Sequence, residues 1–196
     1  MRRLRQLYDW VLHWAGTPHA ALALFALAFA EASFFPIPPD VLLLAVCLAA
    51  PDRSLGFAAR CTAGSVLGGM TGYGIGWGLW DALSAFFFRW IPGFSPAIYE
   101  RVAGLYQAWD FWAVFAAGLT PIPYKVFTIA GGVFGVNFPV FVLASVLSRG
   151  LRFGAEGFLI YHFGPPVASF IDRYFNAMAV GFVVLLLAGF VLIRYV

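Results

Sequence analysis

The chain has 196 residues, of which 62% are hydrophobic and only 11% charged, and its mean hydropathy is +0.86. A soluble domain carries roughly 25% charged residues and under about 50% apolar ones, so the charge here is too sparse to coat a water-facing surface. The formal net charge of +3 comes without a basic run, which excludes a nucleic-acid binder and leaves membrane anchoring and orientation as its use. The reading is an all-α integral membrane protein of one domain.

Residues 1–19 form an N-terminal interfacial amphipathic segment. Arg2, Arg3 and Arg5 alternate with Leu4, Leu7, Trp10, Val11 and Trp14, as on a helix lying in a bilayer surface. The stretch from Asp9 to Trp14 is too polar and aromatic for a cleaved signal core, so the segment is expected to be retained. A membrane domain over 20–165 follows. Its first unit, 20–50, is an apolar arm to Phe35, a break Pro36-Ile37-Pro38-Pro39-Asp40, and a second apolar arm from Val41 to Ala50. Each arm reaches only about 15–24 Å at helical rise, against the roughly 30 Å of a hydrocarbon core. Prolines at Pro36, Pro38 and Pro39 remove backbone donors mid-way, so the unit reads as a re-entrant hairpin. Cys47 and Cys61 lack the short spacing of a metal or redox pair and read as buried thiols.

A span is expected over 62–80. Gly64, Gly68, Gly72 and Gly76 recur every fourth residue and give one face on which a second helix packs closely. Residues 81–110 carry Asp81, Arg89, Glu100, Arg101 and Asp110 among aromatics and two prolines, which suits an interfacial linker. The unit 111–136 repeats the first hairpin, broken at Pro121-Ile122-Pro123, and 139–161 forms a span interrupted by Arg149, Arg152 and Glu156. The C-terminal region 166–196 is expected to hold one more transmembrane helix, uniformly apolar over 177–193.

The segment Pro36 to Val41 matches Pro121 to Val126 at four of six positions, and Gly64-Ser-Val-Leu faces Ala144-Ser-Val-Leu. Each half therefore reads as hairpin, short loop and span. A hairpin returns to its own side and the following span crosses, so the second hairpin enters from the opposite face. That is an inverted repeat of two re-entrant hairpins, each followed by a transmembrane helix, an arrangement that builds midplane sites in transporters. The positive-inside rule places Arg2, Arg3, Arg5, Arg53, Arg60 and Arg173 in the cytoplasm, and with them the N-terminus.

Charge at membrane depth costs about 2.5–3.5 kcal/mol per group on insertion scales and marks function by default. Glu31 is either a proton carrier or a hydrogen-bonding partner of broken backbone. Asp40 is a second candidate for proton coupling or gating, and also stands where it would cap the second arm. Lys125 occupies the position equivalent to Asp40, so the two could pair across the pseudo-two-fold axis. Arg149 and Arg152 lie three apart on one helix face. They could bind a phosphate by forked hydrogen bonds, or pair with Glu31 or Glu156. His13, His19 and His162 are scattered, and no metal set, nucleophile with its base, or phosphate loop is found. The reading is therefore not an enzyme, with no cofactor and no metal.

The stretch Glu31-Ala-Ser-Phe-Phe-Pro-Ile-Pro-Pro-Asp40 resembles the acidic Glu-x-x-x-x-Pro-x-Pro-x-[Glu/Asp] motif of the DedA family, also called VTT-domain or SNARE-associated Golgi proteins. Gly64 to Gly76 and Ala130-Gly-Gly-Val-Phe-Gly fit the same family, and Thr120 to Thr128 with Ser148 to Phe153 resemble its small YqaA-like branch. The match covers roughly 20–165. The resemblance implies a polytopic protein of the bacterial inner membrane with two opposed re-entrant helices, which moves phospholipids or polyprenyl-phosphate carriers between leaflets, with protons as the coupling ion. The family's acidic pair maps to Glu31 and Asp40. Of its basic motif, Arg-Phe-x-Pro-x-x-Arg, Thr120 stands at the first arginine and Lys125 lies one residue off the second, so Arg149 and Arg152 are the candidate replacements.

The resulting expectation is a lipid transporter with Lys125, Arg149 and Arg152 at the head-group phosphate and Glu31 and Asp40 for proton coupling or gating. Its partners are membrane lipids, anionic ones first, and a homo-oligomer is compatible with the sequence. The rivals are a proton- or cation-coupled transporter of a small solute, and a structural or assembly protein of the membrane.

Overall fold

The computed structural model describes residues 19–34, 38–90 (without the side chains at 83 and 87), 95–120, 123–164 and Pro166. The expectations for 1–18, for Pro36 and Pro121, and for the C-terminal helix over 177–193 lie outside the described residues. Among those described, the protein is all α-helical: α1 (Ala20–Ser33), α2 (Asp40–Ala49), a 3-10 turn (Pro51–Arg53), α3 (Ser54–Trp90), α4 (Pro96–Leu119), α5 (Tyr124–Val133) and α6 (Phe138–Phe163).

The breaks follow the prolines. Helix α1 is rich in alanine and leucine, strong helix formers, and closes with the Phe34 N–H on the Ala30 carbonyl, two residues ahead of Pro36. Helix α2 begins directly after Pro39 and puts Asp40 in its first turn, where a carboxylate complements the helix dipole. It ends at Ala50 because Pro51 cannot donate to continue it. Helix α4 starts on a Ser95 cap, whose hydroxyl accepts from the Ile98 N–H at 3.4 Å, and it ends at Thr120 ahead of the second proline break. Between α5 and α6 the chain turns through Gly135 at φ +64°, a left-handed position that suits glycine. The Asn137 side chain then caps α6. The order helix, proline break, ten-residue helix, long helix thus occurs twice.

Two boundaries differ from expectation. The span placed at 62–80 is part of a 37-residue helix, about 55 Å long at helical rise. Nothing stronger than glycine interrupts 54–90, and a glycine held against another helix is tolerated inside a long one. The linker placed at 81–110 is not separate. Its first ten residues continue α3, and the rest merges with the first arm of the second hairpin into α4, kinked at Trp109 (φ −120°, ψ 18°). Asp81, Arg89, Glu100 and Arg101 sit on exposed faces of these helices, so their charge does not break them.

Helix α3 holds both hairpins through its glycines. A Cβ at Gly64 would strike the Phe25 carbonyl of α1, and one at Gly68 the Phe29 carbonyl. At Gly72 it would meet Thr128 of α5, and at Gly76 the Ile129 carbonyl; α5 answers with Gly132 against the Tyr73 carbonyl. The ladder therefore divides: Gly64 and Gly68 face the first hairpin, Gly76 the second, and Gly72 both, since a Cβ there would also lie 3.2 Å from the Ala32 carbonyl of α1. Helix α6 packs against α2, α3 and α4.

Two apolar clusters result. One joins Leu24, Leu43, Val46, Phe57, Cys61, Phe153 and neighbours; the other joins Ala32, Val114, Tyr124, Val136, Phe141 and Ala144. The outward side chains are apolar as well. Leu143, Val146, Leu147, Leu151, Phe158 and Leu159 of α6 are all exposed, as are Leu22, Val41 and Trp77 on other helices. Among the described residues one helix, α6, is both long and apolar enough to cross a membrane; α1 and α2 are apolar but short.

Candidate site: a buried charge cluster at the two proline breaks

Helix α6 carries a polar stripe on its inner face. Ser145, Ser148 and Arg149 are buried, and Arg152 and Glu156 continue the line at helical spacing. Three other helices end or begin opposite that stripe. Glu31 lies in the last turn of α1, Asp40 opens α2, and Thr120 closes α4.

Arg149 is almost fully buried, with 3% of its side chain exposed. Its Nη2 donates to Glu31 Oε2 at 2.8 Å. The guanidinium lies 4.1 Å from the Tyr124 ring centre and 5.3 Å from that of Phe153. It therefore stands where the two apolar clusters meet, its charge offset by one carboxylate and by π-faces. Its Nε is buried without an acceptor among the described residues. The Tyr124 hydroxyl donates to Ser145, which fixes the ring beneath the guanidinium.

Arg152 is fully engaged. Nε and Nη2 both donate to Asp40 Oδ1, at 2.9 and 2.7 Å, and Nη1 donates to the Thr120 carbonyl at 2.8 Å. One guanidinium thus ties the start of α2 to the end of α4, where the last carbonyls of a helix lack intrahelical partners. The Glu156 carboxyl, one turn further along α6, faces the same Asp40 electrostatically, and its Oε2 is buried without a hydrogen-bond partner among the described residues. Nearby, the Thr128 hydroxyl of α5 shares its one hydrogen between the Ala32 carbonyl of α1 at 3.0 Å and the Lys125 carbonyl at 2.9 Å, and the Ser33 hydroxyl shares its own between the Gly68 carbonyl at 3.0 Å and the Phe29 carbonyl at 2.7 Å. The two hairpins therefore touch directly, and hydroxyls satisfy their interrupted backbone.

The expected pairing of Asp40 with Lys125 is replaced. Asp40 meets Arg152, because a guanidinium fork on the neighbouring long helix reaches both that carboxylate and the broken end of α4. Lys125 is half-buried near Glu31, with no ion pair among the described residues. Arg149 and Arg152, expected to meet a phosphate or a carboxylate, here hold the carboxylates. Pro39 is buried at the head of α2, while Pro38 and Pro123 are exposed beside their breaks. No group of three potential metal ligands occurs among the described residues, and Cys47 and Cys61 are free buried thiols.

The sequence offered Glu156 only as an alternative partner of the two arginines and Thr120 only as a replaced motif position, and it passed over Tyr124 and Thr128 as contributors. The spacing Arg149, Arg152, Glu156 was the available signal, since steps of three and four keep all three on one face. Chemically the cluster sets three carboxyls against two engaged arginines and one spare lysine. It can hold a proton between acids, and it can exchange a carboxylate for another oxyanion of similar shape.

No protein-family model and no solved structure matches the chain. An uncharacterized protein of Haemophilus influenzae is 36% identical to it over 153 residues, 78% of each chain. The "Uncharacterized protein HI0703 homolog" of Histophilus somni is 33% identical over 153 residues, again 78% of each. The chain belongs to the family that these two proteins represent.

Proposed function

We propose that the protein is a lipid transporter of the bacterial inner membrane, its N-terminus in the cytoplasm, which passes a phosphate-bearing lipid between leaflets at the Arg149–Arg152 cluster. The observation that carries this reading is the pairing of two α6 arginines with two carboxylates from the first hairpin, in a chain whose outward side chains are apolar. Helices covered by exposed leucine, valine and aromatic side chains suit lipid as their solvent. The repeated order of helix, break, short helix and long helix supports an inverted pair of re-entrant hairpins meeting at the cluster. The resemblance of residues 20–165 to the DedA family points the same way.

In this reading each carboxylate is a tethered stand-in for the head group. A phosphate offers guanidinium the same forked acceptor geometry as a carboxylate, so it can displace Glu31 from Arg149 or Asp40 from Arg152. A displaced carboxylate cannot stay charged and unpaired in an apolar interior. It takes a proton or turns to Lys125. Anion binding and proton uptake are then linked, and by reciprocity protonation favours anion binding.

A purely structural role is the second reading, and the bond from Arg152 to the Thr120 carbonyl favours it, because that contact repairs broken backbone. The two separate on activity. In proteoliposomes, Glu31→Gln and Asp40→Asn are expected to slow exchange of a labelled anionic lipid severely while the protein stays folded. Exchange at the normal rate in both variants sinks the proposed role of the acids.

A further inference from the structure

The far end of α5 bounds a cavity of about 380 Å³ that the charge cluster does not use. Ten residues of α5 separate the two, about 15 Å at helical rise, with Tyr124 under Arg149 at one end and Val133 at the other. Gly76 and Gly132 bring the α3 and α5 backbones together just before the cavity. Trp77, Trp80 and Asp81 follow at steps of three and four on α3, so they share one face, and all three line the cavity with Tyr99 of α4 and Phe134 at the end of α5. The walls are built without a guest. The Tyr99 hydroxyl donates to the Val133 carbonyl at 2.9 Å, and its ring stacks on Trp80 with centroids 4.9 Å apart and packs against Phe134 at 5.3 Å. Trp77 is 69% exposed, and Asp81 is exposed with no ion pair among the described residues. The charge features of the cavity share one sign. Asp81 brings a carboxylate, the indole faces carry the negative side of their quadrupole, and α5 ends here on the negative pole of its dipole. No lysine, arginine or histidine lines it among the described residues.

We propose that this cavity binds an organic ammonium group, the cation lying against the Trp77 ring and beside the Asp81 carboxylate. The lining selects that class. An anion would meet a carboxylate and a helix C-terminus of its own sign. A hard metal ion needs several oxygen ligands, and only one carboxylate is offered. A wholly apolar guest would strip water from Asp81 and give it no partner. An alkylated ammonium puts apolar surface on the aromatic walls and charge beside the carboxylate, and the ring faces attract it. The volume falls within the range of small-molecule pockets, about 300–1,000 Å³. Two sources carry such a group: the head group of a zwitterionic phospholipid, and a free amine in water. In the re-entrant reading the cavity stands at the mouth of the second hairpin, at the head-group level where Trp and Tyr gather, which puts the lipid within reach. The inference stands apart from the transporter reading, since binding here needs neither exchange between leaflets nor the arginines.

Calorimetric titration of the purified full chain in non-ionic detergent tests it, with choline set against the neutral alcohol in which carbon replaces its nitrogen. Choline is expected to bind saturably and the alcohol not to bind. Asp81→Asn and Trp77→Leu are each expected to weaken choline by about two- to fivefold, and the double variant to lose detectable binding. Both side chains are exposed, so the variants keep the packing of α3. Trp109→Leu, at an exposed tryptophan outside the cavity, is expected to bind as the wild type does. The source is read in phosphatidylglycerol nanodiscs with and without phosphatidylethanolamine. Choline binding that disappears when the ethanolamine lipid is present assigns the site to the lipid head group, and binding that persists assigns it to a free amine; both uphold an ammonium site. No saturable binding of choline, equal binding of the neutral alcohol, or binding unchanged in the double variant overturns the proposal. A wild type that exchanges no lipid sinks the transporter reading and leaves this titration decisive.

Discussion

Removing the cation from the Arg149–Glu31 pair should be far more costly than removing the pair. The two side chains are 3% and 14% exposed and meet at 2.8 Å. With the charge centres about 4 Å apart and an effective dielectric near 20, their attraction is about 4 kcal/mol. Arg149→Met keeps an unbranched apolar stem and takes away the only ion-pair partner of Glu31 among the described residues, a loss of about 3–5 kcal/mol. The stacking of the guanidinium on Tyr124 adds about 1 kcal/mol to that loss. Glu31→Gln is milder, since the amide oxygen still accepts from Nη2 and the guanidinium keeps its aromatic neighbours. In the double variant neither group is charged, so most of the penalty disappears. Equilibrium unfolding of the four proteins in mixed micelles gives the coupling energy directly, expected at about 2 kcal/mol or more in favour of the pair. Single variants that each cost under about 1 kcal/mol and add without coupling would refute the reasoning, because a buried charge would then be unpaired at no cost.

Other consequences are as specific. Arg152→Lys keeps the charge but cannot bond Asp40 twice and Thr120 once; thermal unfolding should register a loss of about 1.5–3 kcal/mol. Gly76→Leu forces α5 away from α3 at the Ile129 carbonyl and should cost about 1–3 kcal/mol or more in the same assay. Gly74→Ala is the opposite case, because a Cβ there meets open space, and better helix propensity should make it neutral or up to about 1 kcal/mol stabilising. Thr128→Val removes the donor that joins α5 to the Ala32 carbonyl and should lower stability by about 1 kcal/mol, with faster amide exchange at the end of α1.

How much of this was legible in the sequence depends on the range of the interaction. Proline acts on its own neighbourhood, so α1 stops at Ser33 before Pro36 and α2 starts at Asp40 after Pro39, close to where the sequence puts them. The fourfold glycine spacing is also local and picks out a packing face. It does not say that Gly64 and Gly68 meet one hairpin, Gly76 the other and Gly72 both. The length of α3 was missed because charge was read as a break, whereas Asp81 and Arg89 simply face outward from a continuous helix.

Pairing is the least local property. Sequence equivalence set Lys125 against Asp40, but the partner of Asp40 is decided by which long helix passes the break, and α6 brings Arg152 there 112 residues away. Glu156 shows the same limit. Its spacing from Arg152 places it on the inner face, and only the packing of α2 on α6 makes it a neighbour of Asp40. The charged residues themselves were found from their rarity in an apolar chain, which is a property of composition and needs no fold.

The central claim is that the Arg149–Arg152 cluster handles a phosphate-bearing lipid across the bilayer. The measurement that addresses it most directly is leaflet exchange in proteoliposomes of the full chain, with labelled phospholipids of different head group and a polyprenyl phosphate compared against protein-free vesicles. The account predicts exchange above the protein-free rate, fastest for phosphate groups carrying net negative charge and largely lost when Arg149 and Arg152 are both replaced by glutamine. Exchange equal to that of empty vesicles for every lipid, or a rate indifferent to the loss of both arginines, would contradict it.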